Sequence, residues 1–257
     1  MNIQLIYSLI AGISIGGVAG YLGSLMLQKR MSLAAGPLSH LAFPGVALAI
    51  VYGFDISLGA FPFIILGAVF IWILENKTKV PMDTLTALVF TVGVGASFLF
   101  LPIEEAEQAL VGNISSIGPL ETTLTFLFSL GIFFLIKSKM REMMIIGVSE
   151  DLAQIEGISV KKNSLIFIFS LAIIVALGVK LVGALLTIAL VSIPAASAKN
   201  LSWSLKSFTV FSFLFGILAP LFGISFAKLF AMPAGILTIL ISAVFFLVTV
   251  FFQKNDR

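Results

Sequence analysis

Long apolar runs, repeated along the chain and separated by short charged loops, limit this sequence more than any other feature. No charged residue occurs from Ile3 to Leu27, and comparable runs follow at Leu33–Tyr52, Ser57–Leu74, Met82–Leu101 and Leu120–Ile136. Others follow at Leu165–Val179, Leu181–Ala198, Phe208–Phe222 and Ile236–Phe252. A helix rises about 1.5 Å per residue, so about 20 apolar residues cross the hydrocarbon core of a bilayer. The pattern predicts an all-α, polytopic membrane bundle of about nine transmembrane helices, with eight or ten open. Ala106–Ser116 is too short and too polar to cross, and Ile224–Ala231 reads as a short helix or as part of the last span.

Composition says the same. Of 257 residues, 60% are hydrophobic and 11% charged, whereas about a quarter of an average soluble domain is charged. So few polar side chains cannot cover a water-facing surface. The expectation is a single transmembrane domain over 1–257, with no room for a soluble one. The absence of cysteine removes disulfides, thiolate metal sites and cysteine nucleophiles. Met1–Leu27 lacks a basic leader and is longer than a signal core, so it reads as a first membrane helix rather than a cleaved signal.

The net charge of +3 sits in short loops and reads as a topology signal, not as a nucleic-acid surface. With the Lys29–Arg30 loop in the cytoplasm and strict alternation, all but Lys180 and Lys228 of the 15 Lys and Arg residues fall inside, and Glu104, Glu105 and Glu107 fall outside. The N-terminus is then external and the C-terminus cytoplasmic. Gly12, Gly16 and Gly20 recur every four residues, a spacing that lets helix backbones approach closely. Ordinary packing is the default reading of that stripe, and lining a pathway the alternative.

Two stretches carry candidate function. Gly36, Pro37, Pro44 and Gly45 lie within ten residues and predict a kinked or interrupted helix. Freed backbone groups at such a break need protein or a water-filled cavity beside them. Ser39 and His40 sit there, and His40 is the sole imidazole of the chain, a side chain suited to transition metals. The bland alternative is a packed histidine hydrogen-bonded to a neighbouring helix. The second stretch, about 147–162, holds a short amphipathic helix. Ser149 caps it, Glu150 and Asp151 occupy its first turn and Gly157 ends it. Leu152 and Ile155 give it an apolar face with nothing of its own to cover, which suits a docking partner. Lying on lipid headgroups is the alternative, disfavoured by Asp151 and Glu156.

Catalysis has little support. There is one histidine and no Walker A loop, and Asp83 and Glu121 stand near membrane ends rather than mid-membrane. A stand-alone secondary transporter is therefore disfavoured, and an intramembrane enzyme lacks an evident third member beside His40 and Ser39.

Several runs, in order along nearly the whole chain, resemble the permease subunits of the metal-ion (zinc, manganese and iron) ABC importers, the ABC-3 type. Pro37–Ala49 is similar to the family's Ser-His-x-x-x-Pro-Gly-x-Ala run, and Asp83–Thr84 to the start of a later helix. Ala109–Ile114 resembles a Leu-Phe-Gly-Asp/Asn-Ile segment, Lys180–Ala198 is the strongest match, and Pro233–Gly235 is a weaker echo. Asp151–Val160 resembles the coupling segment, with Ala153, Glu156 and Gly157 in place.

The resemblance implies a fold like that of the larger ABC importers and a homodimer in a bacterial or archaeal cytoplasmic membrane. It implies a chain with no enzymatic activity and no bound cofactor. Cytoplasmic ATPase subunits would bind ATP and dock at Asp151, Leu152, Ala153, Ile155, Glu156 and Gly157, and an extracytoplasmic binding protein would deliver a divalent metal as cargo. In the family an aspartate commonly precedes the histidine by four residues; here that position is Gly36. His40 and Ser39 remain as the metal candidates, and the ion is left open.

Overall fold

The computed structural model describes residues 3–28, 41–54, 56–78, 80, 82–97, 117–230 and 232–252. These residues form helices and no strands: α1 (Ile3–Gln28), α2 (Ala42–Tyr52), α3 (Ile56–Thr78), α4 (Met82–Ser97) and α5 (Pro119–Val148). After them come α6 (Glu150–Ile155), α7 (Val160–Val182), α8 (Ala184–Leu201), α9 (Leu205–Phe230) and α10 (Ala234–Phe251). Helices α1, α5, α7, α9 and α10 are long and apolar enough to cross a membrane, and α3 carries a shorter apolar stretch, Leu58–Leu74. Parts of the expected second and fourth spans lie outside the described residues, as do the Ala106–Ser116 segment and Ala231.

Three boundaries differ most from the sequence expectation, each for a local reason. Helix α5 was expected to stop at Ile136 but continues to Val148. Lys, Met, Arg and Glu are good helix formers, and no glycine or proline intervenes before Gly147. Its 30 residues reach about 45 Å at the usual rise, well beyond the hydrocarbon core, so its charged end stands clear of the apolar part. Helix α7 starts at Val160 instead of Leu165, capped by the Ser159 hydroxyl, which accepts from Lys162 N at 3.4 Å. Ile224–Phe230 is neither separate nor part of the last span; it continues α9, and Pro233 starts α10.

Helix α1 is the central post. Ala11, Ile15, Ala19, Leu22, Leu25 and Met26 are buried around its whole circumference, as expected of a helix that is apolar on every side. Its glycine stripe faces α9, which runs antiparallel: Gly12 meets Pro220 and Ile224, Gly16 meets Gly216, and Gly20 meets the Ser212 carbonyl. Gly23 meets the Val191 carbonyl of α8. The stripe thus packs helices rather than lining an opening. In lipid, helices associate by such close van der Waals contact, since apolar burial alone gives no drive.

Four buried hydroxyls donate within their own helices. Thr187, Ser212, Thr238 and Ser242 each donate to the carbonyl four residues back, at 2.6 to 3.0 Å. That satisfies each donor without a partner helix.

The helix ends sort into two faces. Tyr21 and Phe133 pack with centroids 5.2 Å apart, and Gln4 Nε2 donates to the Ile117 carbonyl at 2.8 Å, so α1 and α5 run parallel. Gln28 shares a cleft with Lys199, Ser202 and Phe208. Asn200 Nδ2 donates to Thr249 Oγ1 at 3.2 Å. The ends of α1, α5, α8 and α10 and the starts of α7 and α9 therefore lie together, and they gather Lys137, Lys139, Arg141, Lys161, Lys162, Lys199 and Lys206. Lys180 and Lys228 stand towards the other end.

Candidate docking site at the basic end

Helix α6 hangs below the basic face between α5 and α7. Ser149 creates it by doing two things at once. Its backbone N–H closes α5 on the Ile145 carbonyl at 3.0 Å, and its extended backbone turns the chain. Its hydroxyl then accepts from Leu152 N at 3.3 Å, satisfying one of the free donors at the start of α6. Glu150 and Asp151 occupy the first turn, where negative charge opposes the helix dipole favourably.

The other end is closed as tightly. Gly157 N–H donates to the Gln154 carbonyl at 3.0 Å and Ile158 N–H to the Ala153 carbonyl at 2.8 Å. This is the paired pattern of a Schellman stop. It needs a left-handed residue, and Gly157 has φ +74°, which costs a glycine little and a side-chain-bearing residue about 1–2 kcal/mol.

Both ends of a six-residue helix are thus capped, which matters because so short a helix does not hold itself. Ala153 is fully buried and seats it against α5 and α7. The opposite side is bare. Leu152 is 44% exposed, Ile155 83% and the neighbouring Val148 77%. Asp151, Gln154 and Glu156 are exposed around them. A rim of carboxylates surrounds an apolar tip, on a face otherwise rich in lysine.

Two residues that the sequence reading passed over tie together α5 and α7, the helices that carry α6. Asn163 of α7 donates from Nδ2 to Glu142 Oε2 of α5 at 2.9 Å and to the Ser159 carbonyl at 3.1 Å. Lys139 Nζ holds the other Glu142 oxygen at 2.7 Å. Asn163 is 2% exposed, and its Oδ1 is buried without a donor. Glu142 and Asn163 bound the chain's longest polar stretch, residues 142–163, which contains the 147–162 segment. That position was the one sequence signal that could have singled them out.

The other candidate residues lie elsewhere. Pro44 is the third residue of α2, a first-turn position where its missing N–H costs nothing. Gly45 touches the Gly59 carbonyl of α3, allowing a close backbone approach. Gly36, Pro37, Ser39 and His40 lie outside the described residues. Among the described residues no three His, Cys, Asp or Glu side chains converge as a metal-holding group. Gly183, in the Lys180–Ala198 run, has φ +86° and both ends α7 and starts α8.

The family model described as "ABC 3 transport family" matches residues 2–253. The chain is 27% identical over 254 residues to the manganese import system permease protein ScaB of Streptococcus parasanguinis, covering 97% of this chain and 91% of that protein. It is 24% identical over 252 residues to the high-affinity zinc uptake system membrane protein ZnuB of Buchnera aphidicola, covering 93% and 94%. A solved structure, PsaBC from Streptococcus pneumoniae in complex with Fab, contains a chain that superposes with a TM-score of 0.85 at 27% identity. That superposition covers 99% of this chain and 94% of the other.

Proposed function

The chain belongs to the ABC 3 transport family, and from that premise we infer that it is the membrane-spanning permease subunit of an ATP-driven importer of a divalent metal ion. The single observation that carries the reading is the match over residues 2–253, nearly the whole chain. Relatives named for manganese import and zinc uptake support a divalent transition metal as the cargo. The chain has no Walker A loop, so the energy comes from a separate ATPase subunit.

The geometry supports a division of labour. The basic end, with α6, faces the cytoplasm, as cytoplasmic loops collect Lys and Arg. The exposed tip formed by Val148, Leu152 and Ile155 enters a groove on the ATPase subunit, the mode in which an amphipathic helix docks by its apolar anchors. Carboxylates at Asp151 and Glu156 set its register. A second copy of the chain completes the pathway, and an extracytoplasmic binding protein delivers the ion to the opposite face. ATP binding in the partner then favours one of two states of the permease through contacts that differ between them. His40, with Ser39, is the candidate to meet the ion within the pathway, since neutral imidazole is a ligand for zinc and iron.

The test is purification on a tag carried by this chain, followed by reconstitution. An ATPase subunit should copurify, and Mn²⁺ or Zn²⁺ uptake into proteoliposomes should require ATP. Uptake by the chain alone, driven by a proton gradient, would overturn the reading.

A further inference from the structure

We propose that the Glu142–Asn163 pair is a positioning clamp that makes α6 move as one body with the ends of α5 and α7, so that displacement of the docked helix reaches the membrane spans. The proposal rests on the docking reading above and adds the residues through which force leaves the docking site.

A six-residue helix on two connecting turns is a poor lever by itself. The turns at Ser149 and at Gly157–Ile158 each carry an extended or left-handed residue, and backbone hinges of this kind absorb displacement. Something must stop α5 and α7 from sliding past each other when α6 is pushed. Among the described residues, the side-chain hydrogen bond from α7 to α5 at this level is Asn163 Nδ2 to Glu142 Oε2, at 2.9 Å.

Three features suit it to that task. The acceptor is a carboxylate, and bonds to charged groups are shorter and about twice as strong as neutral ones. Asn163 is shielded from water, and its second bond, to the Ser159 carbonyl, ties the clamp to the residue that starts α7. Lys139, held to Glu142 at 2.7 Å, orients the carboxylate from the same helix. The pair spans the base of the loop, 21 residues apart in sequence, with α6 between.

The unpaired Asn163 Oδ1 separates this role from simple stabilisation. Leaving such an acceptor buried opposes folding. Asn163→Leu removes that penalty together with the bond, so its effect on melting is small while the mechanical link is lost.

The experiment uses the full permease with the ATPase subunit that copurifies on its tag, in proteoliposomes, and measures Mn²⁺ transported per ATP hydrolysed. Asn163→Leu and Glu142→Leu should each retain the ATPase subunit and lower that ratio by about tenfold, within the range of coupling between sites. Glu142→Gln keeps an acceptor for Asn163 and should restore most of the ratio. A wild-type ratio in either leucine variant that assembles with the ATPase subunit overturns the clamp. Ile155→Asp keeps the two readings apart, since it should lose the ATPase subunit itself. Normal retention in that variant overturns the docking reading instead.

Discussion

Gly16 of α1 and Gly216 of α9 lie backbone against backbone, so a Cβ built on either would fall on the carbonyl oxygen of the other. No rotamer change relieves such a clash, because the obstructing atom is main chain on both sides. The contact sits at the middle of the stripe that joins the central helix to its antiparallel neighbour.

Gly16→Leu is therefore expected to force α1 and α9 apart. Overpacking costs about 1–3 kcal/mol in ordinary cores, and a backbone clash belongs at the upper end. Thermal unfolding of the detergent-solubilised protein should fall by about 5 °C or more. Gly131 is the control: it lies in α5 with open space around its missing Cβ. Gly131→Ala should leave the transition unchanged or raise it slightly, because alanine favours a helix by about 0.5–1 kcal/mol.

Gly157→Val tests the stop of α6. A β-branched residue at φ +74° is strained by about 1–2 kcal/mol, which loosens the Schellman turn. The bundle should melt as before, since α6 lies outside the membrane core. Retention of the ATPase subunit on the tagged permease should drop several-fold.

Ile155→Asp tests the apolar tip. At 83% exposure the side chain contributes little to folding, so the melting transition should move by the equivalent of less than about 0.5 kcal/mol. A buried anchor at an interface is worth about 2 kcal/mol or more, and affinity for the ATPase subunit should weaken by about 30-fold. Titration of the purified partner against nanodisc-held permease measures it.

His40→Ala tests the pathway. Expression, dimerisation and ATPase retention should be normal, and Mn²⁺ or Zn²⁺ uptake in a deletion strain should fall to background. Uptake at the wild-type rate would assign the imidazole to packing.

Local chemistry was legible in the residues themselves. Ser149 caps α6 and Gly157 follows its end, because hydroxyl capping and left-handed backbone are properties of single positions. The apolar runs marked α1 and α10 to within a few residues for the same kind of reason. The end of α5 was not legible. Lys137–Arg141 reads as a loop when charge is taken to end a span, yet a helix that has left the hydrocarbon has no reason to stop until Ser149 turns the chain.

The sequence by itself determined that this chain lives in lipid, that its spans are helical, that its basic loops share a side and that a capped amphipathic helix lies among them. Each follows from composition, period or a single capping residue. Tertiary structure alone decided which surfaces meet. The glycine stripe of α1 announces close packing but not its partner, and only the antiparallel placement of α9 sets Gly16 on Gly216. Likewise, Glu142 and Asn163 look like ordinary loop polars until α5 runs long and α7 starts early. They then become a part-buried, charge-assisted hydrogen bond, because pairing across 21 residues depends on where two helices end in space and not on any local preference.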